Sequence, residues 1–414
     1  MTEIKKNKQY FYMVLLVLFI LLVTKGLKFV GWGMLPIFAK MRYMAFFLLP
    51  ISALLLYGKI KVKNMMYSRN TVNYFIFACL FTFSLRFTLF GGGLGAGIEC
   101  NLFVAFLFCI YFLYHYCEIT ERSIILSLVL IGVVVLGIQV YQQLYPELAA
   151  FSVYTDEMKE TMGVGDDYIV LQRNGLYRFV PIATQLPLFL FCYYFSKLLT
   201  QIKIKYLLLV GVFAASTYLM LTRMFMICLG ICALIIYWLQ RRQMKSKFQT
   251  IVLVSILAFL VYCYADVLFS DLFSSKNSDI EESGSARMGS MPFILSQAIS
   301  NPLLFITGHG YPAKLWDWGA KFGYWWNDLG VFGQIYPYGI IWFFVYLKLV
   351  YWILVKMRKR IPIYIRAYTF SLFCICFLMS SYAGNLVSTL VWVILLYICD
   401  LYISKSDRTE NNVI

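Results

Sequence analysis

The chain has 414 residues, of which 61% are hydrophobic and 14% charged, with a mean hydropathy of +0.75. Soluble domains carry about 25% charged residues, so this composition excludes an ordinary soluble enzyme and predicts a polytopic helical membrane protein. The formal net charge of +16 does not mark a nucleic-acid binder, because Lys and Arg gather at the chain ends and in alternate loops, as the positive-inside rule requires.

The opening MTEIKKNKQY is basic, and the apolar run behind it continues to Val23 without a small-residue cleavage pattern. It reads as a retained first span rather than a signal peptide. About twelve spans of ~20 residues each are expected, over 10–24, 42–57, 72–90, 98–116, 123–145, 178–196, 205–222, 224–240, 249–269, 331–355, 366–381 and 384–403. An even number returns both termini to one face. The clusters Lys5-Lys6-Lys8, Lys59-Lys61-Lys63-Arg69, Lys197-Lys203-Lys205, Arg241-Arg242-Lys245-Lys247 and Lys356-Arg358-Lys359-Arg360-Arg366 assign that face to the cytoplasm. The first outer loop holds Lys25, Lys28, Lys40 and Arg42 against the rule. Either lipid headgroups meet them or the first hairpin is threaded otherwise. The expected fold is thus all-α: one membrane domain over 1–414, with long outer loops at 146–177 and 270–330, the second between helices 9 and 10.

The 11 cysteines lie in or at the ends of apolar segments and none lies in those loops, so no disulfide framework is implied. Cys228 with Cys232, and Cys374 with Cys376, read as buried thiols. With two histidines in the chain, no metal site is expected, and no cofactor. The glycine-rich stretch FGGGLGAG (90–97) follows no strand and lacks a GK[ST] ending, so it reads as an outer turn. Arg86, just before it, either snorkels to headgroups or serves function.

The 146–177 loop is acidic through Glu147, Asp156, Glu157, Glu160, Asp166 and Asp167, and leads through LQRNGLYRFVP, with Arg173 and Arg178, into the sixth span. Pro181 and Pro187 are expected to kink that span, either to line a wet cavity or for packing alone. Thr222-Arg223 sits in a tight turn, where Arg223 meets either a lipid headgroup or a substrate diphosphate.

The chemistry concentrates in 271–339. GSARMGSM carries Arg287 ahead of an amphipathic stretch, MPFILSQAISNP. Arginine suits a diphosphate because its planar fork makes paired hydrogen bonds and its charge persists at any pH of interest; the alternative for Arg287 is an ion pair with Glu281 or Glu282. Trp316, Trp318, Trp325 and Trp326 interleave with Asp317, Asn327 and Asp328. They form either an interfacial belt or a platform for sugars, which present C–H faces and hydroxyls. His115 reads as structural. His309, between two glycines, reads either as a general base or hydrogen-bond donor or as a turn stabiliser.

At the Thr222-Arg223 turn, GSARMGSM, NPLLFITGHGY and WWNDLGVFGQIYPYGII, the chain resembles the bacterial O-antigen and capsular polysaccharide repeat-unit polymerases, which are related in fold to the O-antigen ligases. In layout the resemblance covers most of the chain. It implies glycosyl transfer at the outer face of the bacterial cytoplasmic membrane, from a polyprenyl-diphosphate-linked oligosaccharide, with membrane lipids, a chain-length regulator and a flippase as partners and no nucleic acid. Arg173, Arg178, Arg223 and Arg287 would hold the diphosphate. Asp328 or His309 would take the acceptor proton, and Trp316, Asp317, Trp318, Trp325, Trp326 and Asn327 would hold glycan. The ligases carry a His–Asn motif before a late span; here Trp326 stands where that His would be, which favours the polymerase over the ligase. A lipid-linked oligosaccharide flippase is the alternative of another class. Sparse mid-span charge (Arg86 and Lys348) and no evident inverted repeat weigh against it.

Overall fold

A computed structural model describes residues 66–90, 103–145, 172–173, 176–177, 185–220, 223–241, 289–296, 299–309, 329–378 and 386–411. Among these the fold is helical but for one minimal hairpin. The helices are α1 (Arg69–Phe90), α2 (Phe103–Tyr116), α3 (Glu121–Leu144), α4 (Gln185–Thr200), α5 (Ile204–Leu219), α6 (Arg223–Gln240), α7 (Pro302–Thr307), α8 (Gly330–Tyr338), α9 (Ile340–Tyr351), α10 (Ile363–Leu378) and α11 (Leu386–Asn411); residues 289–296 are helical as well. Strands β1 (Gln172–Arg173) and β2 (Leu176–Tyr177) pair antiparallel, with Arg173 opposite Leu176. Asn174-Gly175 between them is a favoured hairpin pair. The expected spans 10–24, 42–57 and 249–269 lie outside the described residues.

Local chemistry sets the helix ends. At the start of α3, extended Thr120 accepts the Ser123 N–H on its hydroxyl at 3.2 Å, and Glu121 follows in the first turn; both favour the positive end of a helix. Of the expected span 178–196, the described part belongs to α4, Gln185–Thr200, which includes Pro187. Pro181 lies outside the described residues. The apolar run 331–355, expected as one span, is broken. α8 ends at Gly339, with φ 84° and ψ 166°, and α9 begins at the next residue, running into a π-helical turn at Trp352–Lys356.

α4 lies at the centre, packed on α3, α5, α6, α10 and α11. Residues 390–400 of α11 are all buried, as befits a helix enclosed by others. Phe189, Phe213, Tyr368 and Tyr397 fill the middle. Gly132 on α3 admits the Phe213 ring so closely that a Cβ would stand 2.7 Å from its Cε1. Gln139 and Ser216 fasten α3 to α5: the serine hydroxyl donates to Oε1 at 2.6 Å and Nε2 donates to the serine carbonyl at 3.1 Å. Cys228 and Cys232 are buried; the Cys232 thiol donates to Ser371 Oγ at 3.1 Å, so these thiols pack α6 on α10.

The outside is apolar as well. Phe77, Leu234, Trp238 and Phe344 are each more than 60% exposed. Among the described residues, two helices, over Arg69–Leu89 and Glu121–Tyr141, are long and apolar enough to cross a membrane.

One end of the bundle is polar and basic. Asp400, fully buried on α11, accepts from the Ser68 N–H at 3.0 Å and its hydroxyl at 2.8 Å, from the Tyr111 hydroxyl, and pairs with His115 Nε2 at 3.1 Å. A buried carboxylate persists only with such a full set of partners. Beside it the Tyr402 hydroxyl donates to Glu121 at 2.8 Å, and Arg360 pairs with Asp407 at 2.8 Å. Arg122, Lys197, Arg366 and Lys405 flank the same helix ends. His115 is therefore structural, a fastener between α2 and α11.

Candidate functional site

The opposite end of α1 carries Arg86, which is 6% exposed. Arg69 and Arg86 stand about 26 Å apart at a helical rise of 1.5 Å per residue, close to the thickness of a bilayer core. Against α1 packs α7, a short helix opened by Pro302 at its first turn, where a missing N–H costs nothing. The Thr307 hydroxyl donates back to the Leu303 carbonyl at 3.1 Å. Gly308, at φ 77° and ψ 153°, ends the helix, its N–H donating to Leu304 at 2.7 Å.

The next residue is His309. Its backbone N–H donates to the Tyr336 carbonyl at 2.6 Å, and its ring stacks on the Tyr336 ring at 4.0 Å between centroids, 9° from parallel. Tyr336 is held by Ile294 and Leu329. Three residues on, the α8–α9 break at Gly339 closes over the same place. A Cβ on Gly339 would stand 2.2 Å from the Ile306 carbonyl oxygen and 2.8 Å from the Gly308 nitrogen. Backbone conformations like those of Gly308 and Gly339 belong almost to glycine alone. The two glycines thus let 302–309 and 329–339 clasp each other, with α7 seated on α1.

Burial pushes the His309 imidazole down to about 4, because an imidazolium is poorly solvated there; the Arg86 charge acts in the same direction, and the Tyr336 backbone works against both. Neither His309 ring nitrogen has a hydrogen-bond partner among the described residues, nor does the buried Oε1 of Gln334. The site can therefore present a neutral imidazole with lone pair and N–H unused, under the field of a buried cation. Among the described residues, no group of three or more His, Cys, Asp or Glu is placed to hold a metal ion.

Of the residues given a catalytic, diphosphate-binding or glycan-binding role in the sequence, His309 is the one placed with its side chain. Arg223 opens α6 and Arg173 lies in β1, but their side chains are outside the described set. Arg178, Arg287, Trp316, Asp317, Trp318, Trp325, Trp326, Asn327 and Asp328 also lie outside it. Sequence reasoning did not join Arg86, His309 and Tyr336, although all three stand in or beside stretches that it marked. The available signal was the pair of glycines, Gly308 after an apolar turn and Gly339 inside an apolar run. Comparison with protein-family models and with curated proteins gives no match for this chain.

Proposed function

We propose that this chain is a multi-pass enzyme of the bacterial cytoplasmic membrane. It would join polyprenyl-diphosphate-linked oligosaccharide repeat units into a surface polysaccharide by metal-independent glycosyl transfer at the outer face. Both termini and the basic end around Asp400 would lie in the cytoplasm, and about twelve spans of ~20 residues would carry the outer loops. The membrane reading is supported by apolar side chains on both the inside and the outside of the bundle and by the gathering of basic residues at one end.

The observation that carries the transfer reading is the conjunction of a half-buried, neutral imidazole at His309 with the buried cation Arg86, at the end of α1 remote from the basic face. Transfer from a lipid diphosphate needs a group to accept a hydroxyl proton and positive charge to stabilise the departing anion. Arg173, Arg178, Arg223 and Arg287 would add to that charge. Asp328 or His309 would accept the proton. Trp316, Asp317, Trp318, Trp325, Trp326 and Asn327 would hold the glycan chains.

The test is a size profile of lipid-linked and surface glycans in cells lacking the gene. Single repeat units on the surface anchor, without long chains, are expected. Long chains built on the lipid carrier but missing from the surface would instead make it a ligase. Single repeats held on the cytoplasmic leaflet would make it a flippase and overturn the transfer reading.

A further inference from the structure

The transfer reaction leaves two candidates for the proton acceptor, Asp328 and His309. We propose that His309 takes the acceptor proton, and that Arg86 is the positioning cation that holds it poised beside the donor diphosphate. The proposal rests on the transfer reading above.

His309 is fixed at three points: the Gly308 turn behind it, the 2.6 Å bond from its N–H to Tyr336, and the stacked Tyr336 ring. Both ring nitrogens remain without a partner among the described residues. α7 packs on α1, and the Arg86 charge is felt at the imidazole. The elements around His309 bring few other titratable groups. α7 and the helical segment 289–296 have none, α8 contributes Tyr336 and Tyr338, and α9 opens with Ile340, Ile341, Trp342 and Phe343 before Tyr346 and Lys348. Glu281, Glu282, Arg287 and Asp328 lie outside the described residues.

In the step itself, a lone pair of the acceptor hydroxyl forms the new bond to the anomeric carbon. The bond from that carbon to the diphosphate oxygen breaks, and its electron pair leaves with the diphosphate. The hydroxyl proton passes to a His309 ring nitrogen and from there to water. Before the donor binds, burial keeps His309 neutral and makes it a weak base. A diphosphate beside Arg86 brings negative charge that offsets the cation and favours the imidazolium. The base strengthens when the donor is in place, which is when a proton must be taken.

The experiment uses the full chain in lipid nanodiscs, with polyprenyl-diphosphate glycans extracted from cells lacking the gene as the probe. Rates are measured against pH at low and saturating donor, because kcat/KM reports the free enzyme and kcat the loaded one. For the wild type, kcat/KM should hold within about twofold between pH 8 and 5, while the acid limb of kcat lies at higher pH. His309→Gln should lose about a hundredfold or more in kcat. Arg86→Gln should move the acid limb of kcat/KM upward and raise the donor KM. Arg86→Lys keeps the charge and should leave the limb in place, which separates charge from folding.

An acid limb of wild-type kcat/KM near pH 6.5, an Arg86→Gln profile identical to wild type, or a His309→Gln rate within threefold of wild type would overturn the proposal while leaving the transfer reading intact. A limb that follows the disc lipid, anionic against zwitterionic, whatever the donor concentration, would assign Arg86 to headgroups and overturn it as well. A wild-type protein that joins no extracted repeat units would sink the transfer reading, and this proposal with it.

Discussion

Gly339→Ala tests the clasp at its tightest point. The residue sits at φ 84° and ψ 166°, where a side chain costs about 1–3 kcal/mol in backbone strain. The new Cβ would also stand 2.2 Å from the Ile306 carbonyl oxygen and 2.8 Å from the Gly308 nitrogen. These are backbone atoms, so no rotamer change relieves the overlap. The segments 302–309 and 329–339 must part, and the 2.6 Å bond from His309 N–H to Tyr336 is then lost or stretched at about 1 kcal/mol. Together the cost is roughly 2–4 kcal/mol, felt first in the clasp. The assay pairs the melting temperature of the purified protein in detergent with the glycan size profile of complemented cells. The variant should melt lower, with chains shortened or absent at equal protein level. If Gly339→Ala melted with the wild type and restored full-length chains, the close approach inferred at Ile306 would be wrong.

Asp400→Ala should lower stability by about 3–5 kcal/mol, because it strips Ser68, Tyr111 and His115 of a shared acceptor; Asp400→Asn, which keeps the shape, should cost less in the same detergent melt. Gly132→Ala should cost about 1–3 kcal/mol by overpacking, since its Cβ would meet the fully buried Phe213 ring; an unchanged melting temperature would show that α3 and α5 do not press together there. The folded His309 imidazole titrates near 4, below its unfolded value, so the unfolded chain gains a proton that the folded chain refuses as pH falls from about 6.5 toward 4. Its stabilisation is full above pH 6.5 and is lost at up to about 1.4 kcal/mol per pH unit within that window; His309→Gln should flatten the melting temperature between pH 7 and 5.

The longer helices were legible because each follows an apolar run between polar breaks; α7, six residues long, was not. The break at Gly339 was hidden because the residues on either side of it are apolar; it comes from a partner in the preceding segment, Ile306–Gly308. The same holds for the site. Arg86 was marked at the end of an apolar span and His309 between two glycines of the outer loop, but only the packing of α7 on α1 brings them together. Asp400 went unmarked because it ends an apolar run, where an acid reads as a span boundary; its burial depends on α2 and on the start of α1.

The Asp400 fastening also has a consequence in time. Ser68, Tyr111 and His115 precede the carboxylate that they bond by 332, 289 and 285 residues. At roughly 5–20 residues per second of synthesis, they wait about 15 to 65 s for it. During that interval α1 and α2 carry polar groups into an apolar surrounding without their acceptor, a condition that water at the membrane edge or an insertion factor must relieve. The earliest of the described helices therefore reach their final bonding only when α11 arrives, so a ribosome stalled before Asp400 would leave behind unsettled opening helices rather than a shorter stable bundle.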